Sequence, residues 1–339
     1  MKKLILALFC GAVLVGCQNV SAETGKAASA CTAQATVATR TEKIRAKLAS
    51  GDRNYVFVAM HRGDWRNYPE NSRGAIESCI KLGADIVELD AHMTKDGHFV
   101  LNHDGSLDRT TTGKGRISDH TLAEIKQLKL RAGQGGKNAP LTEYNVLSLE
   151  EALEITRGKV LINIDKFTKH PKEILDAVAK VGCLKEVLVK ATMTIDDAKR
   201  LFGDYWKNVE SGELLYMPVI QWCWNNDAKA DKFLPGFLAA EPRTNSMYEI
   251  CFDKPEKVEK MKGVLNAPGK PRVWINTMWD SLAAGRGEAK NASGKGLRID
   301  KPDEVWGWAI QQGATMIQSD YGKECLEYLS KQGRHNLEK

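Results

Sequence analysis

From Tyr55 onward the chain alternates between two hydrophobic rhythms. Short, nearly continuous apolar runs of strand length appear as YVFVAM at 55, IVELDA at 86, VLINID at 160, EVLVKA at 186, LLYMPVIQW at 214, MYEICF at 247, RVWINT at 272 and ATMIQS at 314. Between most of them lie segments whose apolar residues recur at helical spacing, the mark of a helix with one buried face. Residues 71–82 are an instance: Ala75, Ile76, Cys79 and Ile80 form the stripe, Asn71 is placed to cap the start and Gly83 to end it. PKEILDAVAKVG, TIDDAKRLFG, PEKVEKMKGVL, PDEVWGWAIQQG and GKECLEYLSKQG repeat the helical pattern, and a short helix is predicted from about Thr41. Strands that are apolar on both faces belong to a parallel sheet covered by helices. Eight such units, without the Gly-rich first turn of an open doubly wound sheet, favour an α/β fold of the TIM (β/α)8 barrel type. Phe99 to Leu147 breaks the rhythm and reads as an insertion of hairpin and loop between strands 2 and 3. Long irregular segments of this kind are usually functional.

The first stretch, MKKLILALFCGAVLVGC, has two lysines followed by an apolar run and small residues, the layout of an export signal and too short for a spanning helix. Two cleavage readings stand. Leu14-Val15-Gly16-Cys17 resembles a bacterial lipobox, with cleavage before Cys17 and acylation of that residue at a membrane surface; the other is plain cleavage after Ala22 and a secreted product. The first gives a signal at 1–16, a flexible tether at 17–40 and one domain at 41–339. It places the protein in the cell envelope, periplasm or outer membrane. Losing residues 1–16 removes Lys2 and Lys3 and no acid, so the net charge falls from +6 to +4, too mild to imply nucleic acid. The cysteines after Cys17 (Cys31, Cys79, Cys183, Cys223, Cys251, Cys325) lack CxxC spacing, which argues against a thiolate metal site; Cys79 and Cys251 read as core residues.

In a barrel of this type the reactive groups sit where strands pass into loops, at the carboxyl face. Four stretches place chemistry there: His61, Arg62 and Gly63 followed by Pro69, Glu70 and Asn71; Glu88 and Asp90 in GADIVELDAHMTKDG; His103 and Asp104 in FVLNHDGSLDRTTTGKG; and Asp165 at the end of VLINID. Glu88 and Asp90 are two apart on a strand, so they share a face with Cα atoms about 7 Å apart. Carboxylates that close repel and raise each other's pKa unless a cation lies between them. Oxygen ligands from Glu88, Asp90 and Asp165 suit a hard divalent cation, Ca²⁺ or Mg²⁺. DRTTTGKG lacks the Walker spacing and reads as a turn-rich segment shaping the site. Trp65, Tyr68, Trp222, Trp224, Trp274, Trp279 and Tyr321 fall near the predicted rim, whereas Trp306 and Trp308 lie in a helical segment and read as packing. Of these, Trp222, Trp274 and Trp279, at strand ends, are candidates for a wall against glycerol or a quaternary ammonium group.

The run from His61 to Gly115 resembles the signature of the glycerophosphodiester phosphodiesterase family: HRG, PEN, GAD, ELD, TKDG, HD and LDRTTTGKG in fixed order. Further on, only INID and GATMIQSD are similar. The resemblance implies a TIM barrel in which His61 and His103 are the acid and base pair, Glu88 and Asp90 bind the divalent metal, and Arg62 meets the phosphate. Asp165 matches the third metal ligand, usually Glu in the family. The family's lysine two positions later is replaced by Phe167, with Lys166 adjacent, and Lys190 is a candidate for the missing cation. The implied reaction is attack by the neighbouring glycerol hydroxyl and then by water, giving glycerol 3-phosphate and an alcohol from a small glycerophosphodiester. Two other readings compete: phospholipase D-like hydrolysis of lysophospholipids or sphingolipids on the same barrel, and a non-catalytic surface lipoprotein that binds ligands.

Overall fold

All eight apolar runs become strands in the computed structural model, which describes residues 37–240, 246–293 and 298–338. They are β1 (Phe57–Met60), β2 (Ile86–Met93), β3 (Leu161–Asp165), β4 (Val187–Ala191), β5 (Leu215–Trp222), β6 (Met247–Phe252), β7 (Arg272–Asn276) and β8 (Met316–Ser319). Each pairs in parallel with the next, and β1 pairs with both β2 and β8, which closes the TIM barrel. The expected export signal, Cys17, Cys31 and most of the expected tether lie outside the described residues.

Alternation along the strands divides each one between barrel interior and helical layer. Phe57, Ile86, Leu161, Leu188, Leu215, Met247, Trp274 and Met316 form an apolar plug together with Ile44 and Leu48. Those two come from α1 (Arg40–Ala49), which begins at a capping box between Thr39 and Glu42. At its other end Arg272 of β7 donates to the carbonyls of Leu48 (3.0 Å) and Lys47 (2.7 Å), placing a cation at the negative pole of the helix. α1 therefore closes the amino-terminal end of the barrel, opposite the carboxyl face. The alternate strand residues, among them Val58, Val87, Leu89, Ile162, Ile164 and Ile317, pack in a second core with the surrounding helices.

The insertion expected between β2 and β3 is present. Phe99–Leu101 adds antiparallel to the last residues of β2, and a hairpin pairs Lys129–Arg131 with Leu141–Asn145. The insertion has its own small core of Val100, Leu107, Ile117, Ile125, Leu130 and Val146. Helix α2 (Arg73–Leu82) starts one residue later than the sequence implies: Ser72, not Asn71, accepts from the Ala75 amide at 3.2 Å, while Gly83 ends the helix at φ 82° as expected. Two other helical segments depart from regular α geometry, since Pro255–Met261 is a 3₁₀ helix and Asp303–Gly307 a π turn. Cys79, Cys183, Cys223, Cys251 and Cys325 are buried free thiols.

Candidate active site

Neighbouring columns of interior residues carry the acidic cluster. On β2 the inward residues are Ile86, Glu88 and Asp90, and on β3 they are Leu161, Asn163 and Asp165, paired one to one in register. The apolar member of each column belongs to the plug, so the polar members are lifted toward the carboxyl end. One oxygen from each of Glu88, Asp90 and Asp165 lies within 4.8 Å of the others. The shorter Asp165 still brings an oxygen into the group. Burial, then the charge of Asp90, pushes the Glu88 carboxyl up to about 7. Burial opposes ionisation of Asp165 as well, but Lys190 and Lys166 outweigh it and hold that carboxyl below its ordinary value. Three convergent oxygen donors, two of them buried, fit a hard divalent cation.

His61 leaves the end of β1 with its Nδ1 2.7 Å from Asp320 Oδ1, in the residue after β8. A carboxylate only accepts, so Nδ1 carries the proton and Nε2, 4.0 Å from Glu88 Oε2, is the nitrogen turned to the cluster. Burial works to lower the His61 pKa, but the Asp320 hydrogen bond and the Glu88 charge raise it on balance. Asp320 Oδ1 also accepts from Trp65 Nε1 at 2.8 Å. His103 repeats the arrangement within the insertion: its Nδ1 is 2.8 Å from Asp104 Oδ1, and the Asn102 amide preceding it donates to the Asp90 carbonyl at 3.0 Å. Arg109 grips both oxygens of Asp104 and, with His103, holds that carboxyl well below the usual range.

Arg62, at φ 54°, turns its amide onto Glu88 Oε2 at 2.9 Å and its Nη1 onto Glu70 at 3.0 Å. Glu70 accepts from Arg109 at 2.7 Å, so one buried carboxylate ties Arg62 to the His103 support. The Arg62 Nε is buried without a hydrogen-bond partner among the described residues, 3.7 Å from Asp90. Asn71 is a clamp on Asp90 in place of a helix cap: its amide donates to Oδ2 and its carbonyl accepts from the Asp90 amide, both at 3.0 Å.

Trp274 is corrected by the structure. β7 continues to Asn276, which makes Trp274 a mid-strand residue of the plug at 0 % exposure, with its indole N–H given to Asn276 at 2.7 Å. It has no surface to offer a substrate. Lys190 lies above its ring, 5.1 Å from the centroid, and is engaged with Glu249 at 2.8 Å. Its ammonium acts as a counter-charge to the acidic residues around it, and their fields outweigh burial to raise its pKa. Trp222 is buried in the helical layer, while Trp224 and Trp279 are 51 % and 42 % exposed, with Trp279 set edge-on to His61 at 5.8 Å. Sequence reasoning missed Asp320, the His61 partner, although GATMIQSD contained it. It also missed Lys166 as a direct partner of the cluster: the backbone there has φ 62°, and the ammonium lies 3.6 Å from Asp90 and 3.4 Å from Asp165.

Residues 61–249, more than half of the chain, match the glycerophosphoryl diester phosphodiesterase family, and residues 216–329 match a domain of unknown function. A glycerophosphodiester phosphodiesterase of Caldanaerobacter subterraneus subsp. tengcongensis is 40 % identical over 136 residues, 40 % of this chain and 51 % of that protein. An uncharacterised Bacillus subtilis protein, YqiK, is 33 % identical over 201 residues, 56 % of this chain and 76 % of its own length. The chain thus spans about half the length of the Caldanaerobacter enzyme. The crystal structure of a glycerophosphoryl diester phosphodiesterase from Parabacteroides distasonis superposes with a TM-score of 0.65 at 22 % identity, covering 87 % of this chain and 93 % of that one. An Oleispira antarctica phosphodiesterase, solved in complex with its product sn-glycerol-3-phosphate, gives 0.54 at 19 % identity, covering 81 % and 96 %.

Proposed function

Because the chain belongs to the glycerophosphoryl diester phosphodiesterase family, we propose that it hydrolyses small glycerophosphodiesters to glycerol 3-phosphate and an alcohol, with residues 41–339 as the catalytic domain. The observation that carries this reading is the acidic cluster with the Asp320-held His61 turned toward it, and with the His103–Asp104 pair tied to the same site through Arg109, Glu70 and Arg62. The product-bound Oleispira enzyme supports the choice of product.

Glu88, Asp90 and Asp165 would hold a divalent cation, Ca²⁺ or Mg²⁺, which when bound supplies positive charge for the phosphoryl oxygens. Arg62, anchored by Glu70, adds a fixed guanidinium with an unspent Nε–H. Charge builds on the equatorial oxygens as phosphorus is attacked, so donors already in place lower the barrier. Each histidine has Nδ1 committed to a carboxylate and keeps Nε2 for proton transfer. One takes the proton of the attacking hydroxyl while the other gives a proton to the departing alkoxide, a task suited to imidazole near neutral pH. Lys166 and Lys190 offset the negative charge of the acidic group.

The test is glycerol 3-phosphate release from glycerophosphocholine and glycerophosphoethanolamine. His61→Ala and His103→Ala are each expected to lower turnover by about two to four orders of magnitude while the fold persists, and excess EDTA to abolish activity until Ca²⁺ or Mg²⁺ is returned. Near-normal hydrolysis by either variant, or in EDTA, defeats the assignment. The same proposal places the protein in the cell envelope through lipid on Cys17, which palmitate labelling of wild type against Cys17→Ala would check.

A further inference from the structure

The loop between β7 and β8 falls within the region matched to a domain of unknown function, and it reaches His61 directly through Trp279 and the main chain beside the His61 partner through Glu288. Trp279 meets the imidazole edge-on from one side. Further along, the loop folds back so closely that a Cβ on Gly287 would lie 2.4 Å from the Asp280 amide nitrogen. Only glycine allows that approach, and the next residue, Glu288, is thereby driven into the interior. Its side chain is fully buried and takes three donors from three elements: Thr277 Oγ1 at 2.7 Å, Trp306 Nε1 at 2.8 Å and the Asp320 amide at 2.9 Å. Its own amide donates to the Thr277 carbonyl at 2.7 Å. An isolated buried carboxylate is unfavourable, and burial, then the charge of Asp320, pushes this one up to about 7 even among its donors.

We infer that Glu288 is a positioning residue for His61, acting through Asp320. Oε1 gathers the end of β7 and the helical segment carrying Trp306, while Oε2 fixes the main chain at the residue whose side chain holds His61 Nδ1. The route runs by a hydrogen bond from Glu288 to the Asp320 amide, through the covalent frame of Asp320, and by a second hydrogen bond from its carboxylate to the imidazole. Misplacing a catalytic group by about 1 Å costs about a hundredfold in rate. The segment of unknown function would thus supply the orientation of a catalytic group that the amino-terminal half contributes.

This inference rests on His61 being catalytic as proposed above, and the experiment separates the two. Glycerol 3-phosphate release at saturating divalent cation is measured for Glu288→Gln, Asp320→Ala, the double variant and His61→Ala. Glu288→Gln is expected to lower kcat about ten- to hundredfold with KM within about threefold of wild type. In the Asp320→Ala background it should add less than about threefold, because residues acting as one unit are not additive. Wild-type kcat in Glu288→Gln, or effects that multiply in the double variant, overturns the inference while leaving the activity intact. Full activity in His61→Ala would instead sink the functional reading itself. Should Glu288→Gln fail to fold, Thr277→Val removes one donor to the carboxylate without touching Asp320. A three- to fivefold loss in its kcat at unchanged KM supports the role, and wild-type kcat refutes it.

Discussion

Replacing Asp320 by Asn separates charge from geometry at His61. Both donors, His61 Nδ1 at 2.7 Å and Trp65 Nε1 at 2.8 Å, converge on the same oxygen, Oδ1. An Asn placed with its carbonyl oxygen there keeps both hydrogen bonds, and its amide group takes the Oδ2 side. The reverse orientation would set an N–H₂ against two N–H donors, so it is excluded. The imidazole therefore keeps its tautomer, and the loss is limited to exchanging a charged acceptor for a neutral one. Hydrogen bonds to charged groups are worth about 1.5–3 kcal/mol against about 0.5–1.5 for neutral ones, a difference near 1–1.5 kcal/mol, or about tenfold in kcat. The Asp320 hydrogen bond and charge raise the His61 pKa, so the limb of the pH–rate profile belonging to His61 should also move to lower pH. Asp320→Ala abandons both hydrogen bonds and should cost about a hundred- to thousandfold by freeing the ring. Steady-state glycerol 3-phosphate release across pH 5.5–9, at saturating divalent cation, distinguishes these cases. An Asn variant as slow as Ala would mean that the amide imposes the wrong tautomer, and an Asn variant at wild-type rate would mean that the charge of Asp320 adds nothing to the hydrogen bond that Asn keeps.

Glu88 and Glu288 are both pushed up to about 7 by burial, and a carboxyl with a raised folded-state pKa favours folding only while protonated. That contribution is complete below the unfolded value near pH 4 and is lost as pH rises through 7, on the order of 3 kcal/mol for each group. In EDTA, calorimetric Tm should fall by several degrees between pH 5 and 8, with added Ca²⁺ or Mg²⁺ restoring the Glu88 share; a flat EDTA profile contradicts the electrostatic account. Trp274→Ala should destabilise the barrel by about 3–5 kcal/mol through the cavity it opens in the plug, whereas exposed Trp279→Ala should stay within about 0.5 kcal/mol and act on KM. Urea unfolding alongside kinetics would expose a reversal of these two effects.

The eight strands were legible because a strand buried on both faces leaves an uninterrupted apolar run, and each run paired where its position implied. The acidic cluster was legible for a similar reason: alternation puts Glu88 and Asp90 on one face, and the register of β3 brings Asp165 level with Asp90. Strand ends were not legible. Nothing in RVWINT marks where pairing stops, so Trp274 was placed at the rim although two more residues pair beyond it. Local competition hid the work of Asn71, since Asn and Ser are both good helix caps and only tertiary contact shows that Ser72 caps while Asn71 holds Asp90. The left-handed turn at Lys166 is likewise invisible to periodicity, yet it swings that ammonium to Asp90 and Asp165.

His61 and Asp320 stand 259 residues apart and meet only because β1 and β8 pair, with Met60 opposite Ser319. The acidic cluster needs no such closure, because β2 and β3 are neighbours and Asn71 and Arg62 arrive on the adjoining β1 segment. A chain with its first three strands assembled can gather the carboxylates, but it cannot orient His61. Orientation waits for the last strand, and with it for Thr277, Glu288 and Trp306, which fix the main chain at Asp320. Under the proposed function, cation affinity and turnover are consequently expected to be separable in one barrel. Damage at the β7–β8 loop should spare the first and reduce the second, whereas damage to β2 or β3 removes both.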